Sequence, residues 1–396
     1  MRVLLTTVPW PTHFYGMVPL AWALRAHGHE VRVATHPAHV TTVEHAGLPV
    51  VRLGRDIDFM SMFQATTVPM LATDFRKLTA DVGDRVAKEI IQIFTAIADS
   101  IIDDLVDLAR TWQPDLIVYE PAAFAGPVAA AAIGVPAVRL LWGPDITYPS
   151  SHLEHPVLAP MLARFGLDRV DTRGDLTVDP CPPSMQVPSA DVNRQLMRYI
   201  PYNGLGTMPV DLLEPVRHPR VCLTWGTSTV KLGGPSTFLL PHALHAAVEL
   251  GVELIVAITA EQQALLGEVP DGVRVVHQVP LNMLLPTCDA IVHQGGSGTI
   301  LTAAYYGLPQ LIIPQVPDQV INSLKFTETG SGLLYFRRGL EGDAIRPGLR
   351  EHLDRLLSEP GFAASAERLR QEIQDQPPPA EVVGALVDLA RQDALR

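Results

Sequence analysis

Charge is scarce in this chain of 396 residues: Asp, Glu, Lys and Arg together make up 18%, with 30 basic against 42 acidic side chains. A net charge of −12 disfavours nucleic acid or an acidic membrane as a general partner, because neutralising phosphates takes a basic surface. Backbone N–H groups at a helix start still suffice for one diphosphate. Cysteine is scarcer still. Cys181, Cys222 and Cys288 show no CxxC spacing, so a disulfide framework is disfavoured and a reducing compartment fits, with Cys222 and Cys288 as small core residues. No stretch reaches the roughly 18–20 uninterrupted apolar residues of a membrane span. The opening Met1-Arg2-Val3-Leu4-Leu5 reads as a strand and lacks the pattern of a signal peptide. The expectation is a cytoplasmic protein with no membrane span and no nucleic-acid partner.

Apolar residues (47%) and proline (35 residues) are plentiful, which suggests large buried sheets joined by proline-punctuated loops. The length exceeds one ordinary core and points to two domains, with three as the alternative. Short apolar runs at 3–8, 31–35, 115–120 and 137–142 predict strands buried on both faces of a parallel sheet, with a helix over 17–27 between the first two. The second half repeats the theme with strands expected at 220–226, 253–258, 273–278, 290–294, 310–314 and 332–336, and helices at 239–250 and 298–306. Strands alternating with helices twice over predict an α/β protein of two doubly wound, Rossmann-like domains facing across a cleft. Residues 179–219 are rich in Pro, Gly and Asn and read as linker; residues 56–88 follow no period and read as mixed loop and helix.

The strongest motif is Ala290-Ile291-Val292-His293-Gln294-Gly295-Gly296-Ser297-Gly298-Thr299. It reads as strand, glycine turn and helix start, where backbone can approach a diphosphate and unpaired N–H groups face it. A tight turn that binds nothing is the alternative. No Gly-Lys-Ser/Thr follows, so it is not a Walker loop, and its G-x-S-x-G frame ends in Thr299, so it is not a nucleophile elbow. One strand later, Asp318-Gln319 supplies a carboxylate and an amide suited to adjacent sugar hydroxyls.

Taken with Val279-Pro280-Leu281, Gly307-Leu308-Pro309 and Pro314, these motifs resemble the donor signature of the family 1 GT-B glycosyltransferases. Thr12-His13-Phe14-Tyr15-Gly16-Met17-Val18-Pro19-Leu20-Ala21-Trp22-Ala23 and Gly28-His29-Glu30-Val31 resemble the same family's first loop and helix. The likeness is greatest to actinobacterial natural-product transferases that decorate macrolides, spinosyns and enediynes, which Asp179-Pro180-Cys181-Pro182-Pro183-Ser184 and residues 199–204 also resemble. It spans nearly the whole chain and is weakest at 56–88, where such enzymes vary with acceptor.

The resemblance implies a GT-B fold: an acceptor-binding domain at 1–200, a linker at 201–219, a donor-binding domain at 220–376, and a last helix at 377–396 packing back on the first domain. It implies an inverting, metal-independent transfer from a nucleotide sugar to a hydroxyl of an apolar, polyketide-like acceptor. His13 matches the family's base, since imidazole titrates near working pH; a surface or capping His is the bland alternative. Glu120 matches a position from which an acid orients that His, the alternative being a carboxylate facing water. His293 and Gly295, Gly296, Ser297, Gly298 and Thr299 would bind the diphosphate, and Thr227 or Ser228 would add hydroxyls. Gln278 and Val279 would meet the pyrimidine, and Asp318 and Gln319 the sugar. Phe14, Phe59, Met60, Phe63 and Trp142 are the candidate acceptor wall, the alternative being ordinary core residues of which a subset lines the pocket. Plant-type relatives carry Trp and Glu where this chain has Gln278 and Leu301; that Glu pairs with ribose hydroxyls, so an apolar Leu301 favours dTDP over UDP, and a dTDP-deoxysugar is the expected donor. No cofactor or metal is expected, and Asp56-Ile57-Asp58 is set aside as a metal motif for want of converging partners. The rivals are a UDP-sugar transferase, an epimerase of the same fold, or a catalytically silent nucleotide-sugar-binding partner of another transferase. Some members of the subgroup need a helper protein; whether this chain does, and whether it forms a homodimer, stays open at this level.

Overall fold

A computed structural model describes residues 1–67, 80–214, 219–337 and 339–393. Among the described residues, seven strands form the first sheet: β1 (Arg2–Thr6), β2 (Glu30–Thr35), β3 (Val50–Arg52), β4 (Leu116–Tyr119), β5 (Ala137–Leu140), β6 (Leu176–Asp179) and β7 (Arg194–Leu196). They run parallel in the order β3-β2-β1-β4-β5-β6-β7. The second sheet holds β8 (Arg220–Thr224), β9 (Glu253–Ala257), β10 (Arg274–Val276), β11 (Ala290–His293), β12 (Gln310–Ile312) and β13 (Gly332–Leu334), again parallel, ordered β10-β9-β8-β11-β12-β13.

The apolar runs explain the layers. Leu4, Ile117 and Tyr119 face one core with the helices Ile102–Trp112 and Ala125–Ile133, while Val3, Leu5, Leu116 and Val118 face the other with Leu20 and Leu24 of the helix Val18–Ala26. A strand covered on both faces must be apolar at every position, which is why these segments read as unbroken runs and not as alternations. The last helix, Pro379–Asp393, seats Val382, Val383 and Leu386 in that second core. Thus the chain ends against its own first half.

Both sheets reverse their strand order once, between β1 and β4 and between β8 and β11. At such a switch point the loops leaving the two adjacent strands diverge to opposite faces and leave a crevice beyond the strand ends. His13 follows β1 and Glu120 follows β4; Thr227 and Ser228 follow β8 and the glycine turn follows β11.

Two expectations change. Most of the expected strands end one or two residues early, for instance β4 at Tyr119 and β11 at His293, because the next residues, Glu120 and Gln294, leave the ladder to build the crevice. The 179–219 stretch is not linker throughout: Asp179 closes β6 and Arg194–Leu196 adds an edge strand to the first sheet. An edge strand tolerates the proline-rich flanks that disguise it in sequence. Part of the irregular 56–88 segment is helical, Phe59–Thr67 and the start of Ala80–Asp99, and its residues 68–79 lie outside the described residues.

Candidate active site

A one-turn helix, Pro11–Tyr15, carries His13, with Pro at its first position and the Trp10 carbonyl accepting the His13 and Phe14 amides. Proline pre-sets the helical φ and has no N–H to leave unpaired. Glu120 is fully buried just past β4. Its Oε1 accepts the Val8 N–H at 3.1 Å and its Oε2 accepts the Ala122 N–H at 2.8 Å. Oε2 also lies 3.2 Å from His13 Nδ1. A carboxylate pinned by two amides fixes the ring and its tautomer: with Nδ1–H directed at Glu120, Nε2 carries the lone pair. The His13 side chain retains 17% of its exposure, enough for a ligand to reach it.

Aromatic rings wall the imidazole. Trp142 lies 4.2 Å and Trp10 5.6 Å from its centroid, and Phe94 6.2 Å. Phe59 and Phe63 extend the wall from Trp10, with Met60 half-buried beside them. Trp10 and Phe94 were not among the residues singled out from sequence; the proximity of Trp10 to His13 in the same loop is a usable signal, whereas Phe94 comes from a helix 81 residues away with none. Phe14 is a correction. It is fully buried on the far side of the loop with Leu5 and Leu20, edge-on to His39, because successive residues of a helical turn point about 100° apart. It is core and not acceptor wall.

Across the crevice, Gly295 sits at φ 93°, where a Cβ would meet Ser323 Oγ at 2.7 Å and Ile312 Cγ2 at 2.9 Å. The helix Ser297–Tyr305 begins at Gly296 without a side-chain cap, so its first amides, those of Ser297 and Gly298, have no partner within the helix. Thr299 is nearly buried in the first turn. His293 does not join them. Its ring is fully buried, Nδ1 accepts the Gly295 N–H at 3.0 Å and Nε2 meets Gln310 Oε1 at 2.8 Å. Burial pushes its pKa down to about 4, so it is a neutral strut that shapes the turn and not a cationic phosphate ligand. Gln294, quoted in the motif but given no role, fills the space between the two glycine turns. A Cβ on Gly226 would meet its Nε2 at 2.5 Å and one on Gly296 at 2.9 Å, and its Oε1 is buried with no hydrogen-bond partner.

Thr227 is exposed at the rim and Ser228 half-buried, its Oγ accepting the Trp10 Nε1–H at 3.1 Å. Asp318 is open to solvent at the start of the helix Pro317–Glu328, yet protein walls crowd it and push its carboxyl above the usual range, while the His13 imidazole is near enough to pull the other way. Gln319 differs from expectation: it is buried, its Oε1 accepts the Gln315 N–H at 2.9 Å and its Nε2 donates to Thr229 Oγ1 at 2.8 Å, so both ends of its amide are spent on the protein. Leu301 is likewise fully buried, packed with Tyr199 and Ile300, and does not line the crevice. Gln278 adopts φ 54°, and Gly206 passes so close over its carbonyl that a Cβ there has no room; Val279 is half-buried next to it.

Asp56 and Asp58 serve backbone amides, Asp56 accepting the Ala38 N–H at 3.0 Å across 18 positions and Asp58 the Ser61 N–H at 3.1 Å within its own turn. Among the described residues, no three His, Cys, Asp or Glu side chains converge as a metal set, and no helix is long and apolar enough to cross a membrane.

Comparison with known proteins shows the family. Residues 22–226 match the erythromycin biosynthesis protein CIII-like N-terminal domain and residues 241–389 the corresponding C-terminal domain. The chain is 37% identical to the 10-deoxymethynolide desosaminyltransferase of Streptomyces venezuelae, over 99% of this chain and 98% of that one. The solved glycosyltransferase VinC, in complex with dTDP, superposes with a TM-score of 0.85 at 36% identity, covering 99% of this chain and 100% of the other. The spinosyn rhamnosyltransferase SpnG, complexed with thymidine diphosphate, gives 0.86 at 33% identity, covering 98% and 100%. With both halves matched in order and the two switch-point crevices built as described, this chain belongs to the erythromycin CIII-like GT-B glycosyltransferases of actinobacterial natural-product glycosylation.

Proposed function

We propose that this enzyme transfers a deoxysugar from a dTDP-sugar to a hydroxyl of a polyketide-derived aglycone, by one displacement that inverts the anomeric centre. The observation that carries the reading is the buried Glu120 holding His13 Nδ1 in a crevice that faces the uncapped start of the helix Ser297–Tyr305.

The acceptor hydroxyl approaches His13 Nε2 along the wall of Trp142, Phe59 and Phe63. As its oxygen attacks the anomeric carbon, the imidazole takes its proton, and the Glu120 carboxylate stabilises the imidazolium that forms. Negative charge accumulates on the departing diphosphate, where the amides of Ser297 and Gly298 and the positive helix end meet it without reorganising. Each such donor is worth about 3–4 kcal/mol in a dry site. Asp318 holds a sugar hydroxyl, and Thr227 and Ser228 close the phosphate side. Leaving-group stabilisation by amides calls on no metal, so turnover persists in EDTA. His13 and Asp318, present together in one crevice, favour transfer over a silent binding role.

The test is incubation with a panel of dTDP- and UDP-deoxysugars and of macrolactone and anthracycline aglycones, with product mass and the anomeric coupling constant as readouts. An inverted glycoside formed from dTDP-sugars supports the reading. Sugar release or epimerisation with no glycoside from any acceptor would remove it.

A further inference from the structure

The aromatic wall around His13 is tied to the opposite half of the molecule at two points. Trp10 lies nearly parallel to the imidazole, with 22° between planes at 5.6 Å, and Trp142 lies at 35° and 4.2 Å. Trp10 Nε1 donates to Ser228 Oγ at 3.1 Å, in the turn after β8. Ser297 Oγ, at the first position of the diphosphate-facing helix, donates to the Trp142 carbonyl at 2.8 Å. The Trp142 loop leaves no slack, because Gly143 meets the Ser297 hydroxyl so closely that a Cβ would not fit. Trp10 through its indole and Trp142 through its backbone carbonyl are therefore each bonded to one of the two turns that frame the donor crevice.

We propose that Trp10 and Trp142 are positioning residues through which the donor half sets the His13 imidazole, and that Ser228 and Ser297 are the two latches. The inference rests on the reading of His13 as the base. Ser297 can serve both sides at once, since its amide has no partner within the helix and its hydroxyl donates to the Trp142 carbonyl. A diphosphate seated on the amides fixes the first helical turn, which fixes the Trp142 carbonyl, which fixes the ring packed on His13. Glu120 sets the ring from behind through Nδ1; the indoles set its tilt, and with it the direction of Nε2. The base is thus aligned when the donor crevice is in place against it, which favours proton removal from the acceptor over idle attack by water on an unaligned complex.

Three variants test this. Trp10→Phe and Ser228→Ala delete the same hydrogen bond from opposite ends, and Ser297→Ala deletes the second while keeping the amide. Each is measured for kcat and KM of both substrates from about pH 5 to about pH 9, for dTDP affinity by calorimetry, and for quenching of tryptophan emission by dTDP. The expected result is a fall in kcat of about three- to tenfold with a displaced acid limb of the pH profile, while dTDP affinity for Trp10→Phe and Ser297→Ala stays within about threefold of wild type. The Trp10→Phe/Ser228→Ala double variant should be no worse than the worse single one. Multiplying losses in that double variant, or effects confined to donor KM with an unmoved pH profile, would overturn the latch and leave the serines as plain donor contacts. An active His13→Ala enzyme would instead overturn the base, with the dTDP-induced quenching unaffected, so the two failures are told apart.

Discussion

The two crevice-forming loops sit at equivalent places in two sheets of the same topology, yet they are built from opposite materials. The first is lined by side chains: an imidazole, a carboxylate and five aromatic rings drawn from positions 10 to 142. The second offers a glycine turn and uncapped amides from a contiguous run of residues, with His293 and Gln319 turned inward as struts and Thr227 and Asp318 open to solvent. The difference suits their tasks. Every nucleoside diphosphate donor presents the same phosphates, which amides read well, whereas aglycones differ in shape and are read by exchangeable rings.

If that division is right, removing a side chain in the first crevice stops chemistry and leaves donor binding alone. His13→Ala should lower kcat by about 10²–10⁴ with dTDP affinity unchanged by calorimetry. Phe14 and Phe59 separate wall from core. Phe14→Ala, in the buried layer, should cost about 3–5 kcal/mol of unfolding free energy. Phe59→Ala, half-buried in the crevice, should mainly raise acceptor KM, and a reversal of these two effects would return Phe14 to the acceptor wall. In the second crevice the backbone is the sensitive part. Gly295→Ala imposes a side chain at positive φ against Ser323 and Ile312, and about 1–3 kcal/mol of strain should appear as weaker dTDP binding and a lower Tm. A wild-type dTDP affinity in that variant would show that the turn is not what the phosphates touch.

The smallest expected effect concerns stability. Glu154, buried at the start of the helix Glu154–Arg164 and bonded by Thr172 Oγ1, has its carboxyl pushed up from an ordinary 4.5 to about 7 by burial. The neutral form contributes stability that is complete below about pH 4.5 and is lost as the pH rises through 7. Glu154→Gln, neutral at every pH, should flatten that decline and raise Tm by about 2–4 °C at pH 8 while changing little at pH 5. An unchanged slope of Tm against pH would mean that Glu154 is charged in the folded protein.

Legibility followed the same division between contiguous and assembled features. The glycine turn was readable because strand, turn and helix start are consecutive, and the likeness of that run to a known family gave it a ligand. The roles of individual side chains within it were less so. His293 and Gln319 lie in the motif, but only packing shows that their polar atoms are consumed by Gln310, Gly295, Gln315 and Thr229. Leu301 stands where the resemblance assigns a Glu to plant-type relatives, and burial keeps it out of the crevice. In the first half, Trp10 and Phe94 escaped because nothing local distinguishes a ring that walls a crevice from one that fills a core, as Phe14 does.

By itself, the order of apolar runs, glycines and prolines determined two parallel α/β sheets and the location of the glycine-rich turn, since these depend on periodicity and on backbone freedom that neighbouring residues fix. Only the tertiary structure decided which side chains meet: that Glu120 reaches His13 across 107 positions, and that Trp10 and Trp142 bond to serines of the other half. Those contacts arise from strand order and lobe packing, and hydrogen bonds between distant segments leave no period in the chain for a reader to find.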